Sequence, residues 1–169
     1  MSTHPRSETR TINTPDAMHD LGMELARTLR AGDVLVLTGP LGAGKTTLTR
    51  GIGEGLNVRG PVTSPTFVLA RTHPGLSGGA PLVHVDAYRL SSALELDDLD
   101  IDFAGSITVI EWGRGLVEQI VSSWLDVEIE RPHGAGDEDG DRGTDASPDE
   151  TVVEPRTVTI TGHGPRWTA

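Results

Sequence analysis

Short apolar runs rich in branched residues recur along the chain and are separated by glycine, proline and polar residues. Runs of this kind are typical of strands that are buried on both faces of a sheet. They lie at residues 33–38, 67–70, 82–86 and 106–111. Residues 125–130 and 156–161 instead alternate apolar and polar positions, which predicts a hairpin of two half-buried strands.

Apolar residues at helical spacing predict one helix before the first of these strands and another after it. Thr14 is suited to cap the first helix because proline follows it at the first helical position, and Gly32 is a fitting stop. The second helix covers residues 45–56, although three glycines weaken it. Shorter helices are predicted within residues 94–103 and 116–124.

The length of 169 residues is typical of one domain with a substantial core. We assign residues 14–169 to this domain and predict that residues 1–13 form a flexible tail. The absence of cysteine excludes a disulfide framework, a thiolate metal site and a cysteine nucleophile. Because no apolar run approaches the length of a membrane span and the N-terminus lacks a signal-peptide core, we expect no membrane association and a cytoplasmic location.

Acidic residues are concentrated between residues 132 and 150, where seven acids accompany one arginine. This segment carries −6 of the formal net charge of −11 and has no apolar residue larger than alanine. It cannot bury enough surface to fold, so we predict a disordered insertion that splits the C-terminal hairpin. We interpret it as a solvated linker rather than an interaction segment. Neither this segment nor the rest of the chain shows a basic stripe, so strong direct binding of nucleic acid by the chain alone is not expected.

Residues 39–46 read G-P-L-G-A-G-K-T, the complete G-x-x-x-x-G-K-[ST] pattern of a phosphate-binding loop. Glycines let successive N–H groups point at phosphate oxygens, and the following helix adds its positive end. Lys45 can reach the β- and γ-phosphates, and the Thr46 hydroxyl can bind Mg²⁺. The residues predicted to contact a nucleotide here are Gly39, Leu41, Gly42, Ala43, Gly44, Lys45, Thr46 and Thr47.

The strand before this loop and the helix after it are the context that the motif requires. Together with the later buried strands they predict an α/β fold. We expect a three-layer P-loop NTPase-like architecture with a mostly parallel central sheet and a C-terminal β-hairpin.

Two of the apolar runs end in an acid, Asp86 and Glu111. A phosphate loop needs a second acid from the end of a neighbouring strand to hold Mg²⁺. Spacing alone leaves open which of the two holds the metal and which orients an attacking water.

Other polar residues near these strands allow two interpretations each. The hydroxyl cluster around Pro65 either orders about the γ-phosphate or forms a turn with local hydrogen bonds. For His84 we favour a core histidine with a satisfied nitrogen over a catalytic one. For Arg89 and Arg114 we favour structural salt bridges over charge stabilisation in catalysis. For Trp112 we take core packing as the default over packing beside the site or in a partner interface. The hydroxyl cluster consists of Thr63, Ser64 and Thr66.

The nucleotide is expected to be ATP. A guanine-reading N-K-x-D segment is absent, and no D-x-x-G follows the strand at 82–86, where residues 86–89 read D-A-Y-R. The longest loop is acidic, whereas small-molecule kinases of this fold usually carry an arginine-bearing lid. We therefore favour hydrolysis over transfer.

Four stretches in this order resemble the TsaE family of tRNA threonylcarbamoyladenosine biosynthesis proteins. They are the phosphate loop, S-P-T-F at residues 64–67, H-x-D-x-Y-R-L at 84–90 and I-E-W at 110–112. The phosphate loop is shared by many families, but the other three together are nearly diagnostic. The resemblance covers residues 14–162, and the acidic segment has no counterpart in it.

The resemblance implies a small Mg²⁺-dependent ATPase of low intrinsic activity. Its family is required for threonylcarbamoyl transfer to the tRNA adenosine next to the anticodon, acting with TsaB and TsaD. It also implies a role for individual residues. Glu111 would bind Mg²⁺ with Thr46, Asp86 would serve hydrolysis, Thr66 would lie in a switch-like segment, and Trp112 and Thr14 would lie by the nucleotide.

Two alternatives stay open from the sequence. The chain could be a nucleotide-gated docking module without essential hydrolysis, since no acceptor pocket can be read from the residues. It could also be a small-molecule P-loop kinase.

Overall fold

The computed structural model of the chain describes residues 7–40, 42–60, 62, 70–131 and 155–168. Its strands are β1 Ser7–Ile12, β2 Val34–Thr38, β3 Ala70–His73, β4 Leu82–Asp86, β5 Ile107–Glu111, β6 Trp124–Glu130 and β7 Arg156–His163. Its helices are α1 Pro15–Ala26, α2 Lys45–Gly55, α3 Ala93–Asp97 and α4 Pro165–Thr168, with a 3₁₀ turn at Val117–Gln119. The acidic segment 132–150 lies outside the described residues, so the prediction that it is disordered stays a prediction.

All seven strands form one sheet in the order β1-β7-β6-β2-β5-β4-β3. The four central strands, β6, β2, β5 and β4, run parallel, whereas β1, β7 and β3 pair antiparallel at the two sides. The predicted α/β fold and the C-terminal β6–β7 hairpin are confirmed. The sheet is mixed, with a parallel centre, where a mostly parallel sheet was predicted.

Alternate residues of β2 enter two separate hydrophobic clusters. Leu35 and Leu37 belong to the cluster that contains α1 and α2 residues, and Val34 and Val36 belong to the cluster that contains Leu96 of α3. Because side chains alternate across a strand, these clusters lie on opposite faces of the sheet. This explains why β2 reads as a continuous apolar run.

One helix that the pattern predicted is shorter in the structure, and another does not form. The first helix has the predicted Thr14 cap, which accepts a hydrogen bond from Ala17 N, but it ends at Ala26 instead of continuing towards Gly32. The predicted helix at 116–124 is wrong, since only a 3₁₀ turn forms there and Trp124 begins β6. Valine and serine favour helix weakly in this segment, and the buried Val117 packs with Val34 and Val36 of the sheet.

The prediction of a flexible tail over residues 1–13 is wrong for residues 7–12, which form β1 along β7. Arg10 of β1 makes a two-pronged hydrogen bond with Glu24 of α1, at 2.6 and 2.8 Å, and Ile12 is buried. An edge strand exposes most of its side chains, so its sequence need not alternate in polarity. The hydrophobic pattern therefore contained little sign of it.

Close contact between α1 and α2 explains the glycines that seemed to weaken the second helix. A Cβ at Gly51 would overlap the carbonyl oxygen of His19, and one at Gly22 would overlap that of Leu48. The two backbones thus approach to a distance that only glycine permits. This packing places the first turn of α1 beside the start of α2.

We expect Gly51→Ala to destabilise the protein, although alanine is the better helix former by about 1 kcal/mol. Overpacking against a backbone atom typically costs about 1–3 kcal/mol, and here both helices must separate to admit the methyl group. Urea unfolding of this variant measures the effect. Gly79→Ala is the matched control, because its Cβ would meet no atom within 4 Å. A Gly51→Ala protein as stable as the control would contradict the packing argument.

Candidate nucleotide site

The glycine loop, residues 39–46 apart from Leu41, joins the end of β2 to the start of α2. Gly44 has φ +114° and Gly42 has φ +77°, a region that side chains with a Cβ rarely adopt. Such a turn directs backbone N–H groups and the N-terminus of α2 to the same space. The predicted ligand Leu41 lies outside the described residues.

Lys45, the first residue of α2, is only 7% exposed. Its Nζ donates to the carbonyl oxygen of Gly39 at 2.6 Å and to that of Pro40 at 3.3 Å. Burial lowers the pKa of Lys45 below its ordinary value, while the charges of Glu111 and Asp86 act to raise it. The ammonium group is thus folded onto its own loop, beside two carboxylates.

Asp86 and Glu111 are direct register partners at the carboxyl ends of β4 and β5. Asp86 Oδ1 accepts a hydrogen bond from Tyr88 N at 3.0 Å, and Glu111 is 5% exposed. Directly opposite residues of neighbouring strands project to the same face. The structure therefore brings both predicted acids together beside Lys45.

Trp112 packs against Lys45 and belongs to neither hydrophobic cluster, so the default of core packing is wrong. The Lys45 Nζ is 4.5 Å from the centre of the indole ring, and Tyr88 contacts the ring edge-on with 5.6 Å between centroids. Trp112 has φ +62°. A bulky residue in this backbone region costs on the order of 1–3 kcal/mol, and such strain clusters at functional sites.

Two arginines that no sequence pattern indicates lie beside the glycine loop. Arg156, at the start of β7, donates from Nε to the carbonyl oxygen of Ala43 at 3.3 Å. Nη1 of Arg131 lies 3.9 Å from the position that a Cβ on Gly42 would occupy. These residues flank the acidic segment in sequence. Only the pairing of β6 with β2 and β7 shows that both strand ends meet the loop.

Other predicted residues lie at the N-terminal ends of α1 and α2 or outside the described residues. Thr46 and Thr47 lie on the first turn of α2, whereas Thr66 and its hydroxyl neighbours lie outside the described residues. The Thr14 side chain caps α1, whose Met18 would lie 3.3 Å from a Cβ on Gly44. The first turn of α1 is therefore near the loop, but Thr14 as a nucleotide ligand stays a prediction.

Arg114 confirms the structural interpretation, since it pairs with Asp126 and Glu128 at 3.1 and 3.3 Å. His84 is fully buried as predicted, but within the described residues neither of its nitrogens makes a regular hydrogen bond. The structure thus does not show the expected satisfied nitrogen. Its Nε2 lies 3.3 Å from Oε2 of Glu111.

A cation can be tested against this donor set. Among the described residues no three His, Asp or Glu side chains cluster as a metal cage. Mg²⁺ with a nucleotide needs no such cage, because one or two protein oxygens suffice beside phosphate and water. The carboxylate of Glu111 and the hydroxyl of Thr46 are oxygen ligands of the required kind.

No helix in the described part of the chain has both the length and the apolar character to cross a membrane.

Comparisons with known proteins agree on one family. The family model of the threonylcarbamoyl adenosine biosynthesis protein TsaE matches residues 12–138. A tRNA threonylcarbamoyladenosine biosynthesis protein TsaE from Streptomyces coelicolor is 54% identical over 89% of this chain and 93% of its own. The protein of that name from Bacillus subtilis is 38% identical over 77% of this chain and 79% of its own. The crystal structure of Bacillus subtilis YdiB superimposes with a TM-score of 0.68 at 28% identity, covering 97% of this chain and 90% of that one.

Proposed function

Because the chain belongs to the TsaE family of tRNA threonylcarbamoyladenosine biosynthesis proteins, we propose that it is the Mg²⁺-dependent ATP-hydrolysing component of that modification. In this proposal it acts with TsaB and TsaD in the cytoplasm. The observation that carries the proposal is the meeting of Lys45, Asp86 and Glu111 beside the glycine loop.

Each residue has a role that follows from its position. The loop N–H groups and Lys45 would bind the phosphates, with the lysine exchanging the carbonyl oxygens of Gly39 and Pro40 for phosphate oxygens. Glu111 and Thr46 would hold Mg²⁺, which when bound neutralises charge on the β- and γ-phosphates. Charge neutralisation and positioning are the main contributions that proteins make to phosphoryl transfer.

Asp86 would orient the attacking water. Its Oδ1 accepts a hydrogen bond from Tyr88 N, which fixes the carboxylate at the strand end, and Oδ2 can accept a hydrogen bond from the water. In hydrolysis the water oxygen bonds to the γ-phosphorus and the bond from that phosphorus to the β–γ bridging oxygen breaks. The proton passes to the carboxylate or to the released phosphate.

The negative charge of the chain supports a division of labour with partners. A protein of formal net charge −11 is repelled by the phosphates of tRNA. In this proposal tRNA contact therefore belongs to TsaB and TsaD, and this chain supplies nucleotide-driven steps.

Phosphate release from ATP, measured with and without the TsaB–TsaD pair, tests the proposal. We expect slow release by the chain alone and at least a tenfold stimulation by the pair, which corresponds to a barrier lower by ~1.4 kcal/mol or more. Nucleotide binding without phosphate release under both conditions would favour a docking module. Transfer of the phosphate to a metabolite in place of water would favour a kinase.

A further inference from the structure

His84 is a histidine in an environment that usually excludes histidine. It lies in the middle of β4, between Arg71 of β3 and Val109 of β5, and is fully buried. A buried polar atom without a hydrogen bond is costly, on the order of 1–3 kcal/mol. An aliphatic side chain would fill the same space without this cost. The buried imidazole therefore indicates a specific polar partner.

Glu111 is the polar group that the ring meets. It lies two residues beyond Val109 on β5, on the same face, and its side chain is 6% exposed. Its Oε2 is 3.3 Å from His84 Nε2, close enough for a hydrogen bond after a small adjustment of either ring or carboxylate. A carboxylate this deeply buried also needs hydrogen-bond donors. Glu111 can therefore supply the acceptor that the imidazole N–H needs, and His84 can supply a donor to the carboxylate.

We propose that His84 is a positioning residue for Glu111. The imidazole donates its Nε2–H to Oε2 and holds the carboxylate in one orientation, which leaves Oε1 for Mg²⁺. The inference rests on the proposed role of Glu111 as metal ligand. Carboxylates that bind metals are themselves held by hydrogen bonds, and loss of such a partner typically lowers metal affinity by about 10–100-fold.

His73 provides a matched comparison within the same fold. It lies on β3, its side chain is on the same face of the sheet as that of His84, and it is 8% exposed. Its Nδ1 lies 3.3 Å from the carbonyl oxygen of Arg59, and burial lowers the pKa of His73. Its replacement alters a buried imidazole without removing a partner of Glu111.

Calorimetric titration of Mg²⁺ into protein with a non-hydrolysable ATP analogue tests the inference. We expect His84→Met to raise the Mg²⁺ concentration at half-saturation by about 10–100-fold, because the carboxylate loses its donor. His84→Gln keeps an N–H near the position of Nε2 and should recover most of the affinity. His73→Met should stay near wild type, and analogue binding in the presence of EDTA should be unchanged in all variants.

A double-variant comparison separates positioning from general damage. If His84 acts through Glu111, His84→Met should cause no further loss of Mg²⁺ affinity in a Glu111→Gln background. A folded His84→Met protein with the wild-type midpoint would overturn the inference. So would an equal further loss in the Glu111→Gln background.

A second measurement needs neither nucleotide nor metal. Long-range ¹H–¹⁵N spectra of the imidazoles should show His84 protonated at Nε2, with a signal that moves in Glu111→Gln. Protonation at Nδ1 alone, or an unmoved signal, would contradict the contact. If wild-type protein bound the analogue without any dependence on Mg²⁺, the proposed function would fail, whereas these spectra would still decide whether His84 donates to Glu111.

Discussion

Lys45→Met is expected to lower ATP turnover by about 10²–10³-fold, the usual cost of removing one preorganised group from a charge-stabilising site. The effect is large because this ammonium group is buried, lies in the glycine loop and is flanked by Asp86 and Glu111. Without the ammonium group, the negative charge of the γ-phosphate would lie beside two carboxylates in a site that is largely shielded from solvent. Steady-state phosphate release and ATP binding by calorimetry measure the loss.

A control for net charge is Arg27→Met, which removes an exposed cation just beyond the end of α1. It should leave turnover within about twofold, as expected for surface changes away from the site. Equal turnover in the Lys45→Met and Arg27→Met proteins would contradict a role for Lys45.

Lys45 can also be tested without mutation, because it is the only lysine in the chain. An amine-specific reagent therefore has one side-chain target, and bound ATP should protect it. Labelling that proceeds at the same rate with and without saturating ATP would show that the ammonium group does not contact the nucleotide.

Asp86→Asn and Glu111→Gln are expected to reduce turnover by similar factors, about 10²–10³-fold, but for different reasons. Loss of the Glu111 carboxylate should raise the Mg²⁺ concentration required for nucleotide binding. Loss of the Asp86 carboxylate should leave Mg²⁺ and ATP binding near wild type, because its role concerns the attacking water. Mg²⁺ titrations and single-turnover hydrolysis, carried out on both variants, separate the two effects.

The amide substitutions preserve shape, so packing at the ends of β4 and β5 is retained. Asp126→Asn is the control, since Asp126 is a strand carboxylate that pairs with Arg114. If Asp86→Asn shifted the Mg²⁺ requirement and Glu111→Gln did not, the two roles would be reversed. An Asp86→Asn protein that binds ATP, does not hydrolyse it and supports repeated rounds of tRNA modification would favour the docking alternative.

The central strands and the main acids were predictable for a common physical reason. A strand buried on both faces must be apolar along its length, so β2, β4 and β5 appear in the sequence as apolar runs. An acid at the end of such a run marks the carboxyl end of the strand. Parallel neighbours end at the same edge, which brings Asp86 and Glu111 together. The glycine loop was visible because its backbone requires glycine at Gly42 and Gly44.

Other features depend on partners distant in sequence. The edge strand β1 forms because β7 offers hydrogen-bonding groups, and its own residues carry almost no apolar pattern. Gly51 is needed because α1 packs closely against α2 at that point. Local helix propensity contains no information about this contact. Arg156 reaches Ala43 only through the order of strands in the sheet.

By itself, the sequence determined the class of fold, the glycine loop and the chemical types at the site, because these follow from burial and backbone requirements that act over a few residues. Tertiary structure decided which groups meet. It placed Trp112 over Lys45, the two arginines beside the loop and His84 against Glu111. Distances between such groups arise from strand register and helix packing, to which residues far apart in the chain contribute jointly.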